Sequence, residues 1–328
     1  MKILLLGGTG YLGRHLAPRL LAAGHQVCSL QRGRMPTPAL PGLTLLQGDR
    51  NLGAAGLQAL AGQRFDVCVD FSAYTPAQVK ASADGLRMQI GHYVLISAAR
   101  AYAEAVYRPV DEQHPLQRPA ADDDTEINDL SYGRLKVRCE AIVRAVFGDS
   151  ACTVLRPQVV TGPGDPSARL AWWVHRASQA GPMISPGNGA DHLQMIDVRD
   201  VATFVHRVIE QGLVGTYNLA GPRVSWRQFV DLLGVATPIQ VPTFVLDDAG
   251  LAIGELPLFR AEHSRLAHLM DLSAERALAA GLTLTPLADT VAAVRADLLA
   301  GRCPRGAPYM LSEERETALF RQTFAQWR

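Results

Sequence analysis

Lysine is nearly missing from this chain of 328 residues. Of its 32 basic residues only Lys2, Lys80 and Lys136 are lysines; the rest are arginines. The skew has no functional meaning by itself, but it makes a lysine-dependent motif hard to meet by accident. Net charge is missing too. The 32 basic and 31 acidic residues leave +1, which argues against a nucleic-acid partner, because a phosphate backbone calls for basic excess. No cysteines fall in a C-x-x-C pattern. The five (Cys28, Cys68, Cys139, Cys152, Cys303) are scattered and read as buried, reduced thiols. No window approaches the ~18 apolar residues of a membrane span, and the apolar run in MKILLLGGTG is too short for a secretory leader. A cytoplasmic protein with no membrane partner is expected. The nine histidines show no metal-ligand spacing, and the acidic stretch ADDDTE (121–126) reads as a solvated loop, so no metal is expected.

What is present is enough apolar residue to bury a sizeable core: 48% hydrophobic against 19% charged. The first 160 residues alternate strand-like and helix-like segments. Strands are expected at 3–6, 26–30, 43–46, 66–71, 93–97 and 152–155. Helices are expected at 12–23, 52–60, 76–89 and 130–147. Repeated βα units of this length predict an α/β, Rossmann-type, doubly wound parallel sheet. After RPQVVTGPGDP (156–166) proline and glycine cluster and the pattern changes. Helices are expected near 167–179, 199–211, 225–234, 273–280, 286–301 and 309–327, with short strands at 193–196 and 216–219. This reads as a nucleotide-binding domain over 1–160, to which about 196–220 return. An interleaved, smaller mixed α/β substrate lobe takes 161–328.

Gly7, Gly10 and Gly13 lie between the first strand and the first helix. That context makes a glycine triplet specific. The first glycine permits the tight turn, the second lets backbone approach a pyrophosphate, and the third lets helix pack on strand. The helix N-terminus then offers N–H groups and a positive dipole end. The loop GGTGYLGR therefore nominates Gly7, Thr9, Gly10, Tyr11, Leu12, Gly13 and Arg14 as cofactor contacts. Where an NAD site carries an acid on the second strand, this chain has Gln31, followed by Arg32 and Arg34. An acid would repel a 2′-phosphate and a guanidinium binds one, so NADP is expected over NAD.

Tyr132 and Lys136 stand four apart on a helix, hence on one face. An ammonium beside a phenol favours the phenolate and fits the phenol for general acid/base work at a carbonyl or alcohol.

The chain resembles the extended short-chain dehydrogenase/reductase family, also called the epimerase/dehydratase family. The resemblance runs the whole length, on GGTGYLG (7–13), Gly48–Asp49, YVLIS (93–97) followed by Tyr102, YGRLK (132–136), LRPQVVTGPGD (155–165), QMIDVRDVA (194–202) and GTYNLAGP (215–222). It implies that Asp49, with the adjoining Arg50, meets the adenine end of the cofactor. It also implies that Phe71, Ser72 and Ala73 line the cofactor, that Tyr132 is the acid/base with Lys136 its partner, and that the segment around Pro157 approaches the nicotinamide.

Two departures stand out. The family's catalytic Ser or Thr, four residues before the tyrosine matching Tyr102, is here Ala98. Either an irregular strand end lets Ser97 take the role, or the third catalytic member is missing. An arginine that clamps diphosphates in sugar-nucleotide members is here Leu193. Substrate contacts are expected from Ala98, Tyr102, Val159, Trp172 and His192. Trp172 and Trp173 are about 100° apart on a helix, so one is expected to pack and the other to face a substrate cleft or a contact surface.

The expected function is an NADP-dependent reductase or dehydrogenase of a small carbonyl or alcohol. The alternatives are a nucleotide-sugar epimerase or dehydratase, and a non-catalytic nucleotide-sensing or RNA-binding member of the fold. A homodimer through the helices at 76–90 and 130–147 is also expected, because the second helix carries Leu135, Val137, Ile142, Val143 and Val146.

Overall fold

Ile3, Leu4, Leu5 and Leu6 are each at most 2% exposed, as a strand covered on both faces requires. They belong to a computed structural model that describes residues 1–33, 40–105, 107–252 and 254–326. Its strands are β1 (Lys2–Leu6), β2 (Gln26–Gln31), β3 (Leu43–Gln47), β4 (Phe65–Asp70), β5 (Ile90–Ile96), β6 (Cys152–Pro157), β7 (Val160–Thr161), β8 (Met183–Pro186), β9 (His192–Gln194), β10 (Ile196–Asp197), β11 (Gly215–Leu219), β12 (Arg223–Ser225) and β13 (Pro238–Val241). Its helices are α1 (Tyr11–Ala22), α2 (Pro76–Leu86), α3 (Tyr132–Phe147), α4 (Arg169–Ala177), α5 (Val198–Gln211), α6 (Trp226–Leu233), α7 (Thr243–Asp248), α8 (Glu275–Ala279), α9 (Leu287–Leu299) and α10 (Glu313–Ala325). The segment expected as a helix over 52–60 is instead a 3-10 helix, Arg50–Leu60, broken where Gly53 takes a φ of 60°.

The chain divides into two compact units. The first comprises Met1–Gln158, Val198–Ala220 and Leu272–Thr283. Its seven-stranded, all-parallel sheet has the order β11-β6-β5-β4-β1-β2-β3. On one face, α2 packs against α3 and against the 3-10 segment; on the other, α1 packs against α5. This is a Rossmann-type, doubly wound α/β fold. Strand order reverses between β1 and β4, which opens a crevice at their carboxyl ends.

The return of 272–283 to this unit was not legible in the sequence. Long-range polar anchors hold it: Asn218 Nδ2 donates to Val110 O (3.2 Å) and Ser273 O (3.1 Å), and Arg207 Nε donates to Ala280 O (2.7 Å). Leu135, Val137, Ile142 and Val143 of α3 are all buried within the chain itself. Val146, the fifth residue on which a dimer was expected, is half-buried.

The second unit comprises Val159–Asp197, Gly221–Asp271 and Leu284–Arg328. Three two-stranded pairs, β7 with β10, β9 with β12 and β8 with β13, frame an aromatic core. Trp173 lies 4.9 Å from Trp226, which lies 5.3 Å from Phe229 and 5.4 Å from Phe259, ring centre to ring centre. The Trp173 indole N–H donates to Pro257 O at 2.6 Å. Trp172, expected to face a cleft, is instead 8% exposed and packs edge-on against Trp173 at 4.6 Å. Its indole closely adjoins Gly306, where a β-carbon would come within 2.9 Å of it, so chain remote in sequence covers the α4 face that the helical wheel left open. Among the described residues, no helix is long and apolar enough to cross a membrane.

Trp173→Ala should remove the centre of this cluster and cost about 3–5 kcal/mol of stability, read as a lower urea midpoint. An unchanged midpoint would mean that the ring contributes nothing to the core.

Candidate functional site

The crevice begins where β1 runs out. Gly7 turns at a φ of +83°, which only glycine adopts freely, and the Gly10 N–H closes the turn on Gly7 O at 3.0 Å. Helix α1 starts at once, with Gly10 as a cap that offers no side-chain acceptor. Its first-turn N–H groups and dipole therefore lack an acceptor from the cap residue itself, the arrangement that receives a phosphate. A β-carbon on Gly13 would lie 2.3 Å from Gly8 O, so any other residue would push helix from loop. Thr9, Tyr11 and Leu12 are half-buried around this turn and Arg14 is exposed.

The loop is stitched to the end of β4. The Phe71 N–H and the Ser72 hydroxyl both donate to Leu6 O, at 3.0 and 3.3 Å. A β-carbon on Gly7 would touch Ser72 at 3.1 Å. Phe71 and Ser72 are half-buried and Ala73 is fully buried, so the structure brings this expected wall and the glycine loop together.

The residues expected at the adenosine end are less closely grouped around the loop. Arg32 is exposed just past β2, and Arg34 lies outside the described residues. Asp49 accepts from the Asn51 N–H at 3.0 Å, capping the 3-10 segment. Arg50, expected at the cofactor, turns inward and is 8% exposed. It forms a bidentate pair with the fully buried Asp70 at 2.6 and 3.1 Å and donates to Ser72 Oγ at 3.0 Å and Ser82 Oγ at 3.3 Å. Burial alone would lower its pKa; Asp70 outweighs that and holds the guanidinium above its ordinary value. Asp70 also accepts from Tyr93 OH at 2.8 Å and from the Ser72 N–H at 3.0 Å. Arg50 thus braces the expected cofactor wall from behind. One sign was visible in the sequence: the Asp that ends FDVCVD, a buried strand, must find a cation.

Tyr132 and Lys136 open α3. Lys136 is 2% exposed, and its ammonium donates to Ala73 O at 2.8 Å and Ile96 O at 3.0 Å. It stands 5.6 Å from the centre of the half-buried Tyr132 ring and 5.4 Å from that of Tyr74. A β-carbon on Gly133 would lie 2.0 Å from Arg100 O, so α3 begins hard against the turn after β5.

Ser97, expected to stand in as the third catalytic member, is turned inward. It is 3% exposed, and its hydroxyl donates to Glu140 Oε1 at 2.5 Å. Glu140 in turn accepts from Arg156 Nε at 3.0 Å and Nη2 at 2.6 Å. Arg156 Nη1 donates to the Tyr102 oxygen at 3.0 Å, and Tyr102 OH donates to Asn218 Oδ1 at 2.7 Å. Ser97, Glu140, Arg156, Tyr102 and Asn218 thus form one buried network. Ala98 follows in extended conformation, so the two side chains take opposite faces. Tyr102, expected at the substrate, is 1% exposed; burial, against the pull of Arg156, pushes its phenol up to about 12 and keeps it protonated.

Pro157 ends β6, buried and in register with Leu219. Val159 and His192 belong to the second unit. Val159 O accepts from the Ile196 N–H at 2.9 Å, and His192 Nδ1 lies 3.1 Å from Glu262 Oε1, which Arg223 also contacts at 2.5 Å.

A glycine-turned helix terminus, a strand-end wall and a lysine-braced tyrosine define a dinucleotide-binding domain. Residues 3–220 match the NAD dependent epimerase/dehydratase family, and the chain belongs to that family. It is 31% identical over 237 residues to the 2-alkyl-3-oxoalkanoate reductase of Stenotrophomonas maltophilia (strain K279a), covering 67% of this chain and 68% of the reductase. It is 25% identical over 237 residues, 68% of its length, to the chloroplast stem-loop binding protein of 41 kDa b of Arabidopsis thaliana, and spans 59% of that protein. The Bordetella bronchiseptica enzyme WbmH, solved with NAD+, shares the fold at a TM-score of 0.65 and 19% identity, over 89% of this chain and 96% of that one.

Arg50→Met should leave Asp70 buried without its cation and lower stability by about 3–5 kcal/mol in chemical denaturation. A surface cofactor contact would instead leave the denaturation midpoint unmoved.

Proposed function

We propose that this chain is an NADP-dependent reductase or dehydrogenase acting on a small carbonyl or alcohol. The observation that carries the reading is the Lys136 ammonium fixed by Ala73 O and Ile96 O beside Tyr132. A cation held there favours negative charge developing on the phenol oxygen. Tyr132 then gives a proton to the substrate oxygen in reduction and takes it back in oxidation. The Gly13–Gly8 approach and the α1 terminus fit a pyrophosphate, with Phe71, Ser72 and Ala73 as the adjoining wall. When bound, the nicotinamide cofactor supplies the hydride chemistry. Preference for NADP rests on Gln31 where NAD sites carry an acid, with Arg14 and Arg32 exposed nearby. The likeness to a 3-oxoalkanoate reductase supports a small carbonyl substrate.

Ala98 leaves the site without the hydroxyl that would assist at the substrate oxygen. A missing donor of that kind costs on the order of 10²–10³ in rate, so Tyr132 carries the proton chemistry with less help than in members that retain it.

The likeness to a stem-loop binding protein favours a second reading, RNA binding on the same fold. A net charge of +1 and the intact Tyr132–Lys136 pair weigh against it.

A fluorescence titration should show NADPH binding at least about tenfold tighter than NADH, the worth of one good charge-assisted contact. Equal or reversed affinities would remove the arginine argument. In a carbonyl screen followed by NADPH oxidation, Tyr132→Phe should lower turnover by at least about 10²-fold while cofactor affinity stays within a few-fold. Undiminished turnover would refute the assignment. Turnover of UDP- or dTDP-sugars without net NADPH oxidation would point to an epimerase instead.

A further inference from the structure

We propose that His25, His206 and Glu210 form a binding site for one divalent cation of the zinc class. His25 lies in the turn between α1 and β2; His206 and Glu210 are four apart on α5, hence on one face. One ligand atom from each falls within 4.8 Å of the others. His206 Nε2 is 3.5 Å from Glu210 Oε1, and His25 Nε2 is 2.5 Å from the same oxygen. Ligands at ordinary zinc distances around a tetrahedral ion sit about 3.4 Å apart. The His206–Glu210 spacing already meets that, and His25 has to draw back by less than about 1 Å.

Two further observations point to a ligand. His206 Nε2 is shielded from water and meets Glu210 Oε1 only at 3.5 Å, without good hydrogen-bond geometry. The two imidazoles stand nearly perpendicular with centres 6.1 Å apart, so both can turn a nitrogen toward one point. The other His25 nitrogen, Nδ1, faces the Met1 amino nitrogen at 3.3 Å, leaving Nε2 as the atom turned to the cluster. Three protein ligands leave a fourth position for water.

The place in the fold sets the role. His25 precedes β2, and Glu210 ends a helix that leads into β11. Both lie at the amino edge of the parallel sheet, whereas the glycine loop, Ser72 and Tyr132 lie at its carboxyl edge. The ion would clamp the α1–β2 turn to α5 and take no part in the reaction. No local spacing announced it: His206 and Glu210 form an ordinary helical pair, and their partner is 185 residues from Glu210 in the chain.

The test uses tag-free protein stripped with a chelator and re-equilibrated with zinc chloride. One zinc per chain should bind with micromolar or tighter Kd and raise the melting temperature by roughly 5 °C at hundredfold excess over Kd. His25→Gln and His206→Gln should each weaken zinc binding at least about tenfold, while melting in the chelator shows that the variants fold. In case a variant does not fold, cobalt is added to the wild-type protein. It should give tetrahedral d–d absorption without a thiolate charge-transfer band, and zinc should displace it. Absence of saturable zinc binding, equal affinity in the variants, or a thiolate band would each overturn the proposal.

Discussion

Lys136 is the constraint on which the candidate site depends. A buried ammonium is costly unless every donor finds an acceptor. Here two acceptors are carbonyls at the carboxyl ends of neighbouring strands, Ala73 just past β4 and Ile96 at the end of β5, and the faces of Tyr74 and Tyr132 lie on either hand. Moving the lysine would leave those contacts unmade and a charge in the interior. One turn before, a β-carbon on Gly133 would lie 2.0 Å from Arg100 O, so α3 starts hard against the turn after β5. Tyr132 therefore stands one helical turn before a side chain that is fixed in the interior.

Two buried ion pairs extend this logic along the sheet. Arg50–Asp70 stands behind the end of β4, and Arg156–Glu140 links β6 to α3. Such pairs add little net stability over an apolar core, yet breaking one strands a charge. Their value here is geometric. Asp70 fixes the Ser72 backbone beside the glycine loop, and Glu140 takes up the Ser97 hydroxyl. The second effect bears on chemistry: the Ser97 hydroxyl, one residue before the family's serine position, is engaged by a buried carboxylate.

The parts legible in the sequence were those encoded over short spans. The glycine turn, the Tyr132–Lys136 pair and the alternation of strands and helices each depend on residues within about one βα unit, and the doubly wound sheet followed from them. What escaped depends on partners remote in the chain. Ser97 is read correctly only once Glu140 is known to face it, and Tyr102 only once Asn218 does. Arg50 beside Asp49 looks like a cofactor arginine until Asp70 is seen behind it. The helical wheel left Trp172 a free face because it could not show the chain near Gly306 closing over it. Periodicity reports which face is apolar; it does not report which charge will be buried with which.

The parallel sheet itself separates tasks by edge. At the carboxyl edge, helix N-termini bring N–H groups and positive dipole ends, which suits phosphates and developing oxyanions. At the amino edge, helix C-termini bring carbonyls and negative dipole ends, which suits cations. The His25–His206–Glu210 cluster falls at that second edge, beside the last turn of α5. A cation there gains from the same dipoles that would repel an anionic cofactor, and a phosphate at the glycine loop gains from the opposite ends. The two sites can therefore coexist on one sheet without competing, each favoured by the direction in which the chain runs.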